Sequence, residues 1–275
     1  MIDTEIQFDP KIVERIEHIN IYKRKLKWKV PFILIFVMLH EVLRLIDPYS
    51  DFNPTRSTLF EIILIVTVFI ALAYYVFDKT TDSTEYEKPF VGHLYKIWHT
   101  TLDYLMIIPG LVLVVTVLNM FVVSFSPISG TSMAPSYSDE EAVVFTHIND
   151  GYERGDVVIV NEQSLVDPYL IKRVIGLPGE TITIQDNRVF VNDVLLDEAY
   201  IDETKVSTYC VNGSSVCSYT MDVDEYFVLG DNRDGHALTN QPSGYSIDSR
   251  TFGPVQYENI FGRVIFQFRD YNILN

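Results

Sequence analysis

Hydrophobic positions change rhythm once along this chain, at about Phe125. Before it, apolar residues come in long runs; after it, they come in short runs of Val, Ile, Phe and Tyr punctuated by turn residues. Leu105–Phe125 carries no charge over about the twenty residues needed to cross a bilayer's hydrocarbon core, so the pattern predicts a membrane-spanning helix there. Leu59–Phe77 predicts a second, with only Glu61 near one end. Val30–Ile46 predicts a third, weaker span, because His40, Glu41 and Arg44 are costly at depth unless they face other helices or snorkel.

The short runs are Ala142–Thr146, Asp156–Asn161, Leu170–Ile175, Thr181–Gln185, Arg188–Val191, Tyr226–Gly230 and Arg263–Phe268. Strands at this spacing predict an all-β, antiparallel domain over residues 127–275. Asp186-Asn187 and Asn192-Asp193 supply residues that tolerate turn geometry between strands.

Charge orients this scheme. Lys23, Arg24, Lys25, Lys27 and Lys29 cluster just before the first apolar run, and such clusters stay on the cytoplasmic side. Residues 1–29 are then a cytoplasmic segment and 30–126 a membrane region with spans at about 30–46, 59–77 and 105–125. Three spans leave residues 127–275 on the outer, extracytoplasmic face of a cytoplasmic membrane; were Val30–Ile46 only to lie on the surface, the two remaining spans would leave the cysteines inside. The apolar run starts late and no small-x-small site follows it, so the N-terminal segment is expected to stay attached.

Of the net charge of -16, residues 127–275 hold 23 acidic against 9 basic side chains, and residues 1–126 hold 14 against 12. An acidic balance of this size speaks against nucleic acid as a partner, since phosphate neutralisation needs clustered cations. Cys210 and Cys217 lack the further Cys or His partners of a zinc site. They read as a local disulfide, which requires an oxidising compartment, or as two free buried thiols.

Three segments can carry chemistry. Ser126-Pro127-Ile128-Ser129-Gly130-Thr131-Ser132-Met133-Ala134-Pro135 follows the last apolar run; by itself it reads as a plain exit loop, and it holds no G-x-S-x-G elbow. Tyr169–Glu180 places Lys172 inside an apolar strand pattern, on the face shared by Leu170 and Val174. A lysine turned away from water has a lowered pKa, and its neutral amine can take a proton; a snorkelling lysine is the plainer alternative. A serine hydroxyl needs such a base near neutral pH, and Ser-Lys pairs meet that need. The histidines of this half, His147 and His236, sit in no triad signature. Gly230-Asp231-Asn232-Arg233-Asp234 and Ser246-Ile247-Asp248-Ser249-Arg250 are dense in opposite charges, either as solvated turns or as a shell that fixes the lysine.

Together with Arg154-Gly155-Asp156-Val157-Val158, these segments resemble, in order, the motif boxes of type I signal peptidases. Those boxes read approximately G-x-S-M-x-P, R-G-D-[IV]-V, [YF]-[IL]-K-R-[VA]-[IV]-G-x-P-G-[DE] and G-D-N-R-D…S-x-D-S-R. The resemblance covers about residues 120–268. It implies a membrane-bound serine endopeptidase with nucleophile Ser132 and general base Lys172, acting through an acyl-enzyme and needing no metal or organic cofactor. It further implies that Ser246 orients the amine, and that Asp231, Arg173, Asp248 and Arg250 are structural charges behind the site.

Ile128, Met133, Leu170 and Ile171 fall where the family lines shallow pockets for small side chains at the first and third residues before the cleaved bond. The backbone N–H of Ser132 is the first oxyanion donor. Where some members donate a serine hydroxyl, this chain has Gly130, which leaves Ser129, Thr131 or a further backbone N–H as the second. A second departure is the insert Gly235–Tyr245, which makes Ser243 the fallback for Ser246.

The implied partners are signal peptides of secreted preproteins and membrane lipid, with the chain a monomer. The competing readings are a Ser/Lys maturase of a specialised secretion or conjugation system, a self-cleaving repressor, a catalytically silent relative that binds, and a structural membrane protein. A repressor would need a DNA-binding module where residues 1–126 read as spans.

Overall fold

The structure is a computed structural model that describes residues 9–47, 58–148, 150–163, 165, 169–201, 206–233 and 246–269. Chain contacts divide it into two compact units, Met1–Met120 and Phe121–Asn275.

The first unit is helical. Its elements are α1 (Pro10–Leu26), α2 (Lys29–Ile46), α3 (Thr58–Thr80), a 3-10 turn at Ser83–Glu87, α4 (Pro89–Leu105) and α5 (Ile107–Phe121). Asp9 caps α1 by accepting from the Lys11 N–H, and Pro10 occupies the first turn, where its missing N–H costs nothing. Ile19, Leu26, Ile33, Ala71, Tyr74, Tyr95 and Leu102 close a shared core among α1 to α4.

Among the described residues two helices are long and apolar enough to cross a membrane, Thr58–Thr80 and Pro89–Phe121, the second being α4 and α5 together. The first predicted run forms a helix, α2, but Lys29, His40, Glu41 and Arg44 keep it out of that pair. Those polar groups find partners on other helices. His40 Nδ1 bonds Thr116 Oγ1 of α5 at 2.9 Å, and Arg44 pairs with Glu61 of α3 at 2.7 Å.

The third predicted run does not continue to Phe125. Helix α5 ends at Phe121, and β1 (Val123–Pro127) begins at once, pairing antiparallel with β2 (Ala142–Thr146). Val122 and Val123 suit either state, and the free edge of β2 decides in favour of a strand. Helices α1 and α4 are additions to the expected scheme, since their charged faces interrupt the apolar runs by which the spans were recognised.

The second unit holds two antiparallel sheets. The larger has the order β1, β2, β11 (Ile260–Phe268), β3 (Val157–Asn161), β4 (Tyr169–Gly176), β9 (Glu225–Leu229) and β10 (Val255–Gln256). The smaller has the order β7 (Val194–Leu195), β6 (Arg188–Val191), β5 (Thr181–Gln185) and β8 (Val216–Thr220). Asp186 and Asn187 both have positive φ and join β5 to β6 in a two-residue turn; Asn192 and Asp193 do the same between β6 and β7. Cys210 and Cys217 form a disulfide beside β8.

Strand β4 lies between β3 and β9 and so has no free edge. Val158 stands opposite Lys172, Val157 opposite Arg173 and Val228 opposite Val174. Lys172 is thereby held in the interior of a seven-stranded sheet.

Gly262 lies on β11 between two register shifts, and a Cβ there would fall 2.3 Å from the Thr146 carbonyl oxygen. Backbone cannot yield as a flexible side chain can. Gly262→Ala is therefore expected to lower unfolding free energy by about 2 kcal/mol or more, read by denaturant unfolding of the full chain in detergent. Parental stability in that variant would show that β11 does not approach β2 this closely.

Candidate functional site

The loop after β1 and the middle of β4 meet at one contact. Lys172 Nζ lies 2.8 Å from Ser132 Oγ and donates to the Ile171 carbonyl at 2.7 Å. Lys172 is 1% exposed, although lysine is ordinarily among the most exposed residues. Burial pushes its pKa down from 10.5 to about 8, the loss of hydration outweighing the pull of the Asp248 and Asp231 carboxylates. The Arg250 guanidinium pushes the same way as burial.

Those carboxylates are held by cations of their own. Asp231 receives Arg173 through Nε at 2.9 Å and Nη2 at 2.6 Å. Arg173 also donates to the Gly155 carbonyl, which links the Arg154-Gly155-Asp156 segment to the site. Asp248 receives Arg250 through Nε and Nη2, both at 2.9 Å. It also caps the short helix α6 (Ser249–Phe252) through the Arg250 N–H and accepts from Gly230 N at 3.2 Å. The ion pairs leave only a partial negative field at the amine, so it remains short of its ordinary pKa.

The serine loop is fastened from the other side by a residue that the charge pattern did not single out. Asn232 N–H donates to the Ser132 carbonyl, and its Nδ2 donates to the Thr131 carbonyl, both at 3.0 Å. With both carbonyls turned inward, the Ser132 N–H meets no acceptor among the described residues. Gly130 has φ +90°, and its N–H donates to Asp139 at 2.7 Å. That N–H is committed and does not serve as a second donor; Ser129 and Thr131 are exposed.

Ser246 is buried at 4% exposure, and its Oγ has no hydrogen-bond partner among the described residues. It lies across Gly230 from the serine loop: a Cβ on Gly230 would come within 2.2 Å of Ser246 Oγ and 2.5 Å of the Ser132 carbonyl oxygen. Asp231, Arg173, Asp248, Arg250 and Ser246 therefore gather around the Ser132–Lys172 pair. A buried hydroxyl with unused bonding capacity is costly unless something completes it, and the Lys172 amine does not do so here, its contacts being Ser132 Oγ and the Ile171 carbonyl.

Ile128 and Met133 are buried, whereas Leu170 and Ile171 are half-buried. The insert Gly235–Tyr245, with His236 and Ser243, lies outside the described residues. His147 is engaged elsewhere, bonding Ser124 Oγ at 2.9 Å and the Phe261 carbonyl at 3.0 Å. Among the described residues no cluster of His, Cys, Asp and Glu is suited to a metal ion.

Asn232 and Gly230 are the positions that reading by charge passed over. Both stand in the Gly230–Asp234 segment already singled out, so the signal was the segment's uncharged members.

Comparison with known proteins gives a family match, described as signal peptidase, peptidase S26, over residues 101–269. The chain is similar to signal peptidase I U of Bacillus subtilis (strain 168), 31% identical over 111 residues, covering 38% of this chain and 59% of that one. It is equally similar, 31% over 163 residues, to signal peptidase I V of the same organism, covering 56% of this chain and 89% of that one. Among solved structures, a signal peptidase I from Enterococcus faecalis V583 matches at 27% identity, covering 43% of this chain and 100% of that one, with a TM-score of 0.31.

A depressed lysine pKa has a consequence for stability. Between about pH 8 and 10.5 the unfolded chain holds a proton at Lys172 that the folded chain has released, so stability rises with pH through that window. Below it, the buried amine costs the fold. Lys172→Met keeps the length and removes the charge; it is expected to raise unfolding free energy near pH 7 by about 1 kcal/mol and to flatten the rise towards pH 10. Denaturant unfolding at the two pH values reads both effects, and an unchanged pH dependence would refute the buried amine.

Proposed function

The chain belongs to the signal peptidase family, peptidase S26, and is a peptidase; from that premise we propose that it is a membrane-bound serine endopeptidase that removes signal peptides from secreted preproteins. Ser132 is the nucleophile and Lys172 the general base. The observation that carries this reading is the 2.8 Å contact between a serine hydroxyl and an amine buried to 1% exposure.

In the proposed reaction the hydroxyl of Ser132 donates to the lone pair of neutral Lys172 while Oγ attacks the scissile carbonyl. The amine, now protonated, passes that proton to the leaving amino group. An ester joins Ser132 to the signal peptide, and water deprotonated by the same lysine hydrolyses it. The developing oxyanion is met by the Ser132 N–H, which has no other acceptor among the described residues. With the Gly130 N–H committed to Asp139, the second donor is Ser129, Thr131 or a further backbone N–H. Ser246, buried across Gly230 from the serine loop and with no partner for its Oγ among the described residues, is the hydroxyl assigned to orient the amine when the two come within bonding distance.

Substrate side chains before the cleaved bond meet Leu170, Ile171, Ile128 and Met133, of which Leu170 and Ile171 are half-buried and the other two buried. Small residues fit such a shallow surface, and an extended substrate adds its backbone hydrogen bonds. We place the chain in a cytoplasmic membrane through three crossings, α2, α3 and the α4–α5 pair, with His40 and Arg44 of α2 turned to Thr116 and Glu61 of its neighbours, the basic N-terminal segment cytoplasmic and the β unit outside. The Cys210–Cys217 disulfide supports that side, because such bonds persist in oxidising compartments. Tethering enzyme and substrate to one membrane raises their effective concentration without any added contact.

The test is cleavage of a preprotein bearing an Ala-x-Ala site by the full chain in detergent. Ser132→Ala and Lys172→Ala are expected to keep the parental circular dichroism and to lose cleavage by at least about a thousandfold. Parental rates in both variants would remove the dyad from the mechanism.

The parent's kcat/KM is expected to rise with pH through a limb near 8, where Lys172 becomes neutral. A profile flat from pH 6 to 9 would mean that another group accepts the proton.

A further inference from the structure

The helical unit contains a groove that combines two properties few ligands satisfy together. It encloses about 660 Å³ where the end of α1 and the start of α2 adjoin the last turns of α3. Leu26, Val30, Leu34 and Leu72 make its walls apolar, while Lys23, Arg24, Lys27 and Lys79 stand around it with Asp78 as the single carboxylate among the described residues.

That carboxylate is already taken. Lys23 pairs with Asp78 at 3.3 Å and donates to the Tyr86 hydroxyl, so neither neutralises the other cations. Arg24, Lys27 and Lys79 are exposed and, among the described residues, form no ion pair within 4 Å. In a chain of net charge -16, three cations with no ion pair among the described residues, Lys79 lying 5.8 Å over the Tyr75 ring, form beside an apolar wall a site of local sign opposite to the whole.

The position of the groove along α3 adds a depth. From Ile62 to Phe77 that helix carries no charge, and Asp78 and Lys79 mark where its apolar length ends. The groove straddles this boundary, with Leu72 on the apolar side and Lys79 on the polar side. A ligand filling it has an anionic end at the level of the cations and a hydrocarbon end one to two turns along α3. Inorganic phosphate would leave the walls wet, and a neutral lipid would leave the cations unanswered.

We propose that this groove binds an anionic phospholipid, its phosphate headgroup held by Arg24, Lys27 and Lys79 and the upper part of an acyl chain laid against Leu34 and Leu72. Cationic recesses between membrane helices have the charge complement for this class of lipid, and each cation near such a surface adds about a fivefold factor in binding. The inference is independent of the peptidase chemistry and rests on the membrane-spanning reading of α3.

The experiment uses the full chain in detergent and native mass spectrometry, with phosphatidylglycerol and phosphatidylcholine of identical acyl chains offered separately. Phosphatidylglycerol is expected to be retained and phosphatidylcholine lost. Arg24→Gln, Lys27→Gln and Lys79→Gln should each weaken retention about fivefold, and the triple variant about a hundredfold. The pair Lys11→Gln and Lys96→Gln, which line a different recess, should leave it unchanged. Leu72→Asn should weaken lipid retention, while added glycerol phosphate should not displace the lipid.

Equal retention of the two lipids, equal effects of the groove and control variants, or displacement by glycerol phosphate would each overturn the site. Because the three cations are exposed, any one of the single variants that keeps the parental helical circular dichroism suffices for the comparison. Reconstitution into phosphatidylcholine vesicles separates the two failures: a chain that inserts without discriminating refutes the lipid site alone, and a chain that does not insert refutes the membrane reading as well. Loss of preprotein cleavage in the parent, with lipid retention intact, would count against the peptidase proposal only.

Discussion

An ammonium group has no lone pair, so the contact between Lys172 and Ser132 has chemical meaning only if the sheet keeps that amine short of water. Strand pairing on both sides of β4 supplies the condition, since an edge strand would let a four-carbon stem reach solvent. Desolvation alone lowers a buried amine's pKa by several units. Here the Asp248 and Asp231 carboxylates pull the other way, and Arg250 and Arg173 blunt that pull. The balance near 8 leaves an amine that is part neutral at physiological pH and still basic enough to hold a proton once it has taken one.

The same ion pairs shape the site as well as its charge. Asp248 caps α6 and accepts from the Gly230 N–H, which fixes the turn after β9 against the segment that carries Ser246. Gly230 itself is held between Ser246 and the Ser132 carbonyl, where no side chain fits. Two residues on, Asn232 binds the carbonyls on either side of the Thr131–Ser132 link. A loop with two inward carbonyls has its next N–H turned outward, so the donor aimed at a developing oxyanion follows from how the loop is fastened and needs no further side chain.

The legible parts of this chain were those whose signal is local. Lys172 could be assigned a face because side chains on a strand alternate, and Leu170 and Val174 flank it at that period. The turns at Asp186-Asn187 and Asn192-Asp193 could be read because few residues accept positive φ. The end of α5 could not, since Val122, Val123 and Phe125 prolong an apolar run that suits a helix, and only the distant β2 makes them a strand. Asn232 was illegible for a similar reason: an asparagine in a turn is ordinary, and its value comes from a loop a hundred residues away in sequence. Helices α1 and α4 escaped because their packing faces are narrow stripes within charged sequence, which a search for uncharged runs passes over.

Burial also bears on why a lysine serves in the contact with Ser132. An imidazole begins near 6.5, already close to physiological pH. Removing its water lowers that value further, away from the range in which it competes for a hydroxyl proton, unless a carboxylate is placed to restore it. An amine begins at 10.5, and the same loss of water carries it down into the useful range, to about 8. A dry site between two β strands therefore suits lysine by the sign of the shift alone. The nearby carboxylates need only limit that shift, which they do while each is paired to an arginine. His147, bonded between Ser124 and the Phe261 carbonyl, is held by other groups of the same unit.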